Sequence, residues 1–135
     1  MELADTSAWT NRHRDPAVEA DFDARLLADE IATSPIVTME LLWTARDAED
    51  LRKLREELSA LPQVEITAQV WERAFEVWQA LAERGRHRQV SRVDLVVAAA
   101  AELAGVPVCH YDADFEAIAE VTGQPQRAIA VLGTI

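Results

Sequence analysis

The stretch Val106-Pro-Val-Cys-His-Tyr-Asp-Ala-Asp-Phe115 decides the fold, because it joins an apolar strand, an acidic residue and a helix start in that order. The strand is predicted over Val106 to Tyr111, and Asp112 follows it directly. Ligands of open parallel sheets bind outside the carboxyl ends of the strands, so an acid in this position faces the ligand crevice. The stretch therefore predicts an α/β fold with a polar site at the end of a buried strand.

The rest of the chain alternates short strands with helical patterns. Strands are predicted at Glu2 to Ala4, Glu30 to Thr33, Val64 to Ile66, Val106 to Tyr111 and Ala128 to Leu132. Helices are predicted at Pro16 to Ala28, Pro35 to Ala45, Asp47 to Ala60, Thr67 to Gly85, Val93 to Ala104 and Asp114 to Val121. Strands that alternate with helices imply right-handed crossovers, so we expect a three-layer α/β/α fold around a parallel sheet of about five short strands.

Length and composition indicate a single globular domain over residues 1–135. The chain is 50% hydrophobic and 27% charged, as in ordinary globular proteins. Its longest apolar run, Leu95 to Ala101, is too short to cross a bilayer, and no basic segment leads into an apolar stretch at the start of the chain. We therefore expect a cytoplasmic protein without membrane contact, and we interpret its one cysteine, Cys109, as a core residue.

Asp5 and Glu40 are the first two candidate site residues. Asp5 follows Leu3-Ala4 at the tip of a buried strand, where a carboxylate costs free energy unless another group compensates its charge. Glu40 lies in the apolar helix that begins at Ser34-Pro35, and a structural ion pair is the alternative for this residue.

Asp94, Asp112 and Asp114 complete the set, each with an alternative role. Ser91-Arg-Val-Asp94 has the spacing of a capping box, and an acid in the first turn of a helix is also favoured by the helix dipole. Asp112 or Asp114 could simply cap the helix that follows them.

The five acids predict a divalent-metal site with the ligands Asp5, Glu40, Asp94, Asp112 and Asp114. Mg²⁺ and Mn²⁺ prefer carboxylate and water oxygens, and an open site with several acids suits an ion that also binds a phosphate. Asp114 is expected either to support the other ligands or to bind a second ion. No set of histidines and cysteines suggests zinc.

The net charge of −11 discourages loose binding to nucleic acid, so any such contact must be local. One candidate is the basic loop next to Asp94, which contains Arg84, Arg86, His87, Arg88 and Arg92. It is either a solvated connection between helices or an edge that contacts phosphates, chiefly through Arg86 and Arg88. Arg12-His13-Arg14 is a second candidate, and Trp9, near Asp5, is the tryptophan to test for stacking on a base.

The chain resembles the PIN-domain ribonucleases, and among them the VapC-type toxins of bacterial toxin–antitoxin pairs. The resemblance rests on Asp5-Thr-Ser-Ala-Trp9, Glu40, Val93-Asp-Leu-Val-Val-Ala-Ala-Ala-Ala101 and His110-Tyr-Asp-Ala-Asp-Phe115. It implies an Mg²⁺- or Mn²⁺-dependent endoribonuclease with Asp5, Glu40, Asp94 and Asp112 as catalytic acids. It also implies a homodimer, and neutralisation by a cognate VapB-type antitoxin that occupies the site groove.

The same resemblance implies that Ser7 and Ser91 contact water or phosphate beside the acids. One departure from the family pattern is Glu2, at a strand position where an aliphatic residue is expected.

Three other classes of protein share part of this pattern. A phosphoacceptor receiver domain needs a lysine after its last strand, and the sole lysine, Lys53, lies in a charged helix instead. A non-catalytic acidic PIN-like binding module is disfavoured because such a module has little reason to keep mutually repelling carboxylates. A DNA-directed nuclease of the same fold remains the closest enzymatic alternative.

Overall fold

The computed structural model describes every residue from Met1 to Ile135. Its elements are β1 (Glu2–Ala4), α1 (Thr6–Asn11), a 3-10 helix (Arg12–Arg14), α2 (Pro16–Leu27), β2 (Ile31–Ala32), α3 (Pro35–Leu42), α4 (Ala48–Ser59), α5 (Ala68–Glu83), α6 (Arg92–Ala104), β3 (Val108–His110), α7 (Ala113–Thr122) and β4 (Gln126–Ala128). Among these helices, none has both the length and the apolar character that a bilayer crossing requires.

Four parallel strands form one sheet in the order β2-β1-β3-β4. β1 lies inside the sheet, where Leu3 pairs with Ala32 of β2 on one side and with Val108 of β3 on the other. At the carboxyl edge the Asp5 N–H still donates to the Cys109 carbonyl at 2.9 Å, so the ends of β1 and β3 lie side by side. The parallel sheet and its flanking helices confirm the predicted α/β class.

Helix α6 is the most deeply buried helix, as its apolar sequence predicts. Every residue from Asp94 to Ala101 is buried, and the helix packs against α5, α7 and the two inner strands. The four consecutive alanines from Ala98 to Ala101 leave room for close packing on all sides. The burial of α6 means that the one charged side chain of this stretch, Asp94, enters the protein interior.

Glu2 is buried on β1, and two arginines compensate its charge. The Arg127 guanidinium of β4 donates to both Glu2 oxygens, at 2.8 and 2.9 Å, and Arg25 of α2 lies 3.5 Å away. This pairing explains how an acid occupies a position where an aliphatic residue was expected. Cys109 is fully buried beside the pair, and burial raises the pKa of its thiol to about 12, which confirms it as a core residue.

The strand predicted at Val64 to Ile66 does not form. Its place is taken by a single parallel bridge between Thr33 and Gln63, and the Val64 N–H donates to the Thr33 carbonyl at 2.8 Å. The pairing cannot continue because Ser34 already caps α3, so the chain turns away from the sheet after Thr33.

The last strand lies earlier than the predicted Ala128 to Leu132. It spans Gln126 to Ala128, because its partner β3 ends at His110 and offers no further pairing groups after one bond to Ile129. The apolar residues that suggested a strand instead turn back over Tyr111. The Tyr111 hydroxyl accepts hydrogen bonds from the N–H groups of Gly133 at 2.8 Å and Ile135 at 3.1 Å.

Candidate metal centre

Four aspartates gather at the carboxyl edge of the sheet, and we call them the acidic cluster: Asp5, Asp94, Asp112 and Asp114. Asp5 follows β1 and caps α1, and Asp112 follows β3 and caps α7. Asp94 and Asp114 lie in the first turns of α6 and α7. The amino ends of helices carry partial positive charge, which favours carboxylates at these positions.

Asp94, Asp112 and Asp114 approach one another most closely. One carboxylate oxygen from each residue lies within 4.8 Å of the other two. The Asp112 Oδ1 accepts the Asp114 N–H at 2.9 Å, and the Asp114 Oδ2 accepts the Ser91 N–H at 2.8 Å. Backbone hydrogen bonds therefore fix two of the three carboxylates in place without neutralising their charges.

Asp5 is 3% exposed, and only one of its carboxylate oxygens is hydrogen-bonded. Its Oδ2 accepts the Ser7 N–H at 2.9 Å and the Ser7 hydroxyl at 2.6 Å, whereas its Oδ1 is buried without a partner. Burial raises the pKa of Asp5 above its ordinary value, the Ser7 hydrogen bonds oppose this rise, and the charge of Asp112 adds to it.

Asp94 is the most strongly perturbed acid of the cluster. It is 6% exposed, and its Oδ2 has no hydrogen-bond partner. Burial raises its pKa to about 9, helped by a hydrogen bond with Asp114 and by the negative charges of Asp5, Asp112 and Asp114. Without a compensating cation the cluster thus holds a proton at neutral pH.

The acidic cluster fits a hard divalent cation. Its donors are all carboxylate oxygens, and two of them, on Asp5 and Asp94, are buried and unpartnered. A buried polar atom without a partner is costly, and a bound cation would satisfy both oxygens and offset the repulsion between the four charges. No cysteine or histidine joins the group of close oxygens, which argues against a zinc site.

Glu40 lies at the edge of this site, outside the group of close carboxylates. It is exposed on α3, and its Oε1 accepts the Thr6 hydroxyl at 2.8 Å. Thr6 directly follows Asp5, so this hydrogen bond ties α3 to the start of α1. Glu40 makes no ion pair, which removes the alternative that the sequence left open for it.

Ser7 and Ser91 both act on neighbouring protein groups in the structure. The Ser7 hydroxyl donates its one proton to Asp5 and accepts the Tyr111 N–H at 3.0 Å. The Ser91 hydroxyl caps α6 by accepting the Val93 N–H at 3.2 Å. Both serines lie beside the acids, as the resemblance implied, but here they hold site elements together.

The basic loop between α5 and α6 is anchored on the helices around it. The Trp78 indole N–H donates to the His87 carbonyl at 2.8 Å, and the Arg86 guanidinium pairs with Glu120 of α7. Arg88 is exposed and makes no hydrogen bond or ion pair through its side chain. Of the two arginines proposed for phosphate contact, Arg88 is therefore the one with free donors.

Trp9 and Arg12 are structural, contrary to the idea that they contact RNA. Trp9 is 8% exposed and packs edge-on against Phe22, with ring centroids 5.0 Å apart. The Arg12 guanidinium lies over both rings, at 5.1 and 5.2 Å from their centroids, and also bonds the Trp9 carbonyl. A base cannot stack on an indole that is already covered on its faces by protein groups.

Two features of the site were absent from the sequence interpretation. The first is α1 itself, which is short and follows directly after Asp5. The second is His110, a fully buried histidine whose Nδ1 accepts the Asp112 N–H at 3.1 Å. The cue for α1 was present, since Asp is a preferred N-cap residue, but the cue for His110 was not, because its partners come from the turn and from β4.

The chain is similar in sequence and in structure to known proteins. A family model described as the PIN domain matches residues 3–121. The chain is 41% identical over 133 residues to a protein named Ribonuclease VapC18 from Mycobacterium tuberculosis, and the match covers 97% of this chain and 96% of that protein.

Two solved structures illustrate the likeness of fold. One is DNA-bound VapBC from Salmonella typhimurium, with a TM-score of 0.73, 19% identity, and coverage of 96% of this chain and 100% of that chain. The other is VapBC-5 from Mycobacterium tuberculosis, described as a member of the VapBC family of toxin-antitoxin systems. It has a TM-score of 0.61, 26% identity, and coverage of 96% of this chain and 98% of that chain.

Proposed function

The chain belongs to the PIN-domain family, and from this membership we propose that it is a divalent-metal-dependent endoribonuclease, the toxin of a VapBC-type pair. The observation that carries the proposal is the acidic cluster, with its two buried and unpartnered carboxylate oxygens on Asp5 and Asp94. The near full-length similarity to a protein named as a ribonuclease supports RNA as the substrate.

Mg²⁺ or Mn²⁺ is the proposed cofactor, held by Asp94, Asp112 and Asp114 together with the free oxygen of Asp5. When bound, such an ion supplies Lewis-acid polarisation of a phosphoryl oxygen and lowers the pKa of water. Glu40, at the edge of the site, is also a proposed catalytic acid. Its carboxylate is the most exposed of the set, and its only hydrogen bond is the one it accepts from the Thr6 hydroxyl.

The chain's own residues prepare the site in three ways. Ser7 aims the free oxygen of Asp5 inward by occupying the other oxygen. The buried Asp94 favours a bound cation, since its pKa of about 9 reflects the cost of ionising it inside the protein and beside three other acids. The negative cluster also repels an RNA phosphate, so we expect substrate binding to depend on the cation.

Phosphate contacts on the substrate side are assigned to the basic loop. Arg88 has all its guanidinium donors free, and Arg86 must share its donors with Glu120 and Gln89. Arginine suits this task because its planar fork matches the phosphate oxygens. Ser7 and Ser91 are better proposed as residues that position Asp5 and α6 than as direct phosphate ligands.

The proposed macromolecular partners are a VapB-type antitoxin and a second copy of this chain. The similar solved structures are of VapBC proteins, which supports a protein antitoxin for this chain as well. Exposed apolar side chains lie at the end of α3 and on α5, among them Trp43, which directly follows α3, and Phe75 of α5, and they offer surface for such contacts.

The decisive experiment is cleavage of a mixed cellular RNA pool by the purified, antitoxin-free protein with Mg²⁺ or Mn²⁺. Asp94→Asn removes one cluster charge at constant size, and Asp29→Asn is the matched control, because Asp29 is exposed and its side chain makes no hydrogen bond or ion pair. We expect cutting by the wild type and the control that stops with Asp94→Asn or with EDTA.

Other outcomes separate the alternatives. Cutting of DNA but not RNA under the same conditions would favour the DNA-directed nuclease. RNA or protein binding without cutting of either nucleic acid, by a folded and metal-loaded protein, would favour the non-catalytic binding module.

A further inference from the structure

His110 is a fully buried ionisable residue that the proposed reaction leaves without a role. It is the last residue of β3 and lies two positions before Asp112. Its ring packs against Phe115 of α7, with ring centroids 5.0 Å apart. An imidazole in such a place must have partners for both nitrogens, because an unsatisfied buried polar atom costs free energy.

Both nitrogens of His110 are hydrogen-bonded, and their partners dictate where the proton lies. A backbone N–H can only donate, so Nδ1, which receives the Asp112 N–H at 3.1 Å, is the acceptor. Nε2 then carries the proton and donates to the Gln126 Oε1 of β4. Gln126 and Asp112 together select one neutral tautomer of the ring.

The bond from Asp112 to His110 spans two residues, as in the turns that Asp, Asn, Ser and Thr side chains make with the backbone. An imidazole in this role reaches further than a carboxamide, and its second nitrogen attaches the turn to the edge strand β4. The turn that presents Asp112 is thereby fixed to the sheet from two directions.

The bond is also the first link of a chain that runs through the cluster. Asp112, once fixed, accepts the Asp114 N–H, and Asp114 accepts the Ser91 N–H at the start of α6. One residue earlier, the Tyr111 N–H is held by Ser7, which holds Asp5. The two consecutive N–H groups after His110 therefore support separate carboxylates of the site.

We propose that His110 is a positioning residue of the metal centre: its neutral ring, held by Gln126, fixes Asp112 and so sets the affinity of the acidic cluster for a divalent cation. The inference rests on the proposed function insofar as the cluster binds a cation. It assigns His110 no contact with substrate and no proton transfer.

The test measures Mn²⁺ binding directly, by calorimetry or by the loss of the free-ion electron spin resonance signal. His110→Leu replaces the ring by an apolar side chain of related volume and so removes the acceptor, whereas His110→Asn supplies a different acceptor that can receive the Asp112 N–H. Loss of a residue that orients a metal ligand typically weakens binding about 10- to 100-fold. We expect that range for His110→Leu, and a change within about threefold for His110→Asn.

Leu58→Ala is the matched control for general loss of stability. Leu58 is buried on α4, which packs against α3, and it makes none of the hydrogen bonds around His110, so its truncation destabilises the fold without removing a member of this network. We expect wild-type Mn²⁺ affinity for this variant. Wild-type affinity for a folded His110→Leu protein, or equal weakening by Leu58→Ala, would overturn the proposal.

The tautomer supplies a second readout that needs no metal and no variant. Nitrogen-15 chemical shifts of the His110 ring in the wild-type protein should report a proton on Nε2 and none on Nδ1. A proton on Nδ1 would overturn the proposal even if His110→Leu failed to fold. If Mn²⁺ binding depends on His110 as expected but the wild-type protein leaves RNA intact, the proposed ribonuclease activity is refuted and the positioning role of His110 stands.

Discussion

Asp94 lies in the first turn of α6, where a carboxylate is favoured, and also in the protein interior, where its charge is costly. Its sequence context, Ser91-Arg-Val-Asp94, predicts a capping box in which the last acid accepts the first N–H. The structure gives that N–H to Asp114 instead, at 2.8 Å, and Asp94 enters the acidic cluster. Aspartate is one methylene shorter than the glutamate that is usual in such boxes. That Asp114 of α7 accepts the Ser91 N–H could not be predicted from the local pattern.

The pH dependence of stability should report the cost of this burial. The pKa of Asp94 is about 9 in the folded protein and about 3.9 in an unfolded chain, so the folded state binds the proton more tightly. Its favourable contribution is complete below about pH 4 and is lost as the pH rises towards 9. We expect the metal-free wild type to lose stability over that window relative to Asp94→Asn.

Urea unfolding of both proteins in EDTA, at several pH values, measures this difference. Asp29→Asn is again the control, and its stability should run parallel to that of the wild type. The prediction would be contradicted if the difference in unfolding free energy between wild type and Asp94→Asn stayed constant from pH 4.5 to 8.5. The pKa of Asp94 would then be the same in the folded and unfolded states.

The family resemblance placed Ser7 beside the acids, and the structure shows which protein groups its hydroxyl contacts. Its hydroxyl joins Asp5 to the end of β3 through Tyr111. We expect Ser7→Ala to weaken Mn²⁺ binding about 10-fold, because a ligand loses its orienting hydrogen bond. Ser7→Thr keeps the hydroxyl and should retain most of the affinity. Equal affinities for all three proteins, measured by calorimetry, would contradict the role.

At the scale of elements, the sequence predicted most helices because their caps are local. Asp47, Thr67 and Ser91 each accept an N–H two or three residues ahead, so the cap and the helix start are encoded together. The strands were harder to place, because each is two or three residues long and is defined by partners distant in sequence. The missing strand at Val64 and the displaced last strand both follow from where the neighbouring strands end.

The element β4 is joined to β1 by a buried ion pair that the sequence could not reveal. Arg127→Met should destabilise the protein by about 3 kcal/mol, because it leaves the buried Glu2 with only the more distant Arg25. The double variant Glu2→Leu, Arg127→Leu should recover much of that loss, since no charge then remains unpaired. Urea unfolding measures both. A double variant less stable than Arg127→Met would contradict this account.

In the basic loop between α5 and α6, we expect Arg88 to contribute more to RNA binding than Arg86. Arg88→Ala should weaken RNA binding about fivefold, equivalent to about 1 kcal/mol, and leave Mn²⁺ affinity unchanged. Arg86→Ala should weaken binding less, because its guanidinium is already shared with Glu120. Arg55→Ala, at an exposed and unpaired position on α4, is the matched control. Unaltered RNA affinity in the Arg88 variant, measured by fluorescence anisotropy, would remove the loop from the substrate site.

The whole molecule carries a net charge of −11, which limits where RNA can bind on its surface. A polyanion is repelled by most of this surface, so binding must concentrate where cations collect, at the acidic cluster with its metal and at the basic loop beside it. Few phosphates are then neutralised by arginine, and each contributes about −0.7 to the salt dependence for a single strand.

This charge distribution predicts a shallow dependence of RNA affinity on monovalent salt. With Arg86 and Arg88 as the phosphate contacts, log K should fall with log salt at a slope of about −1.4. The measurement uses the wild-type protein with a cleavage-resistant RNA analogue at a fixed, saturating Mn²⁺ concentration, so that the metal site stays intact. Adding Arg88→Ala should make the slope less steep by about 0.7, because one contact is lost. A slope steeper than about −4 would require a broad basic surface that a chain of this charge does not offer, and the binding face would then have to lie on a partner or a second copy.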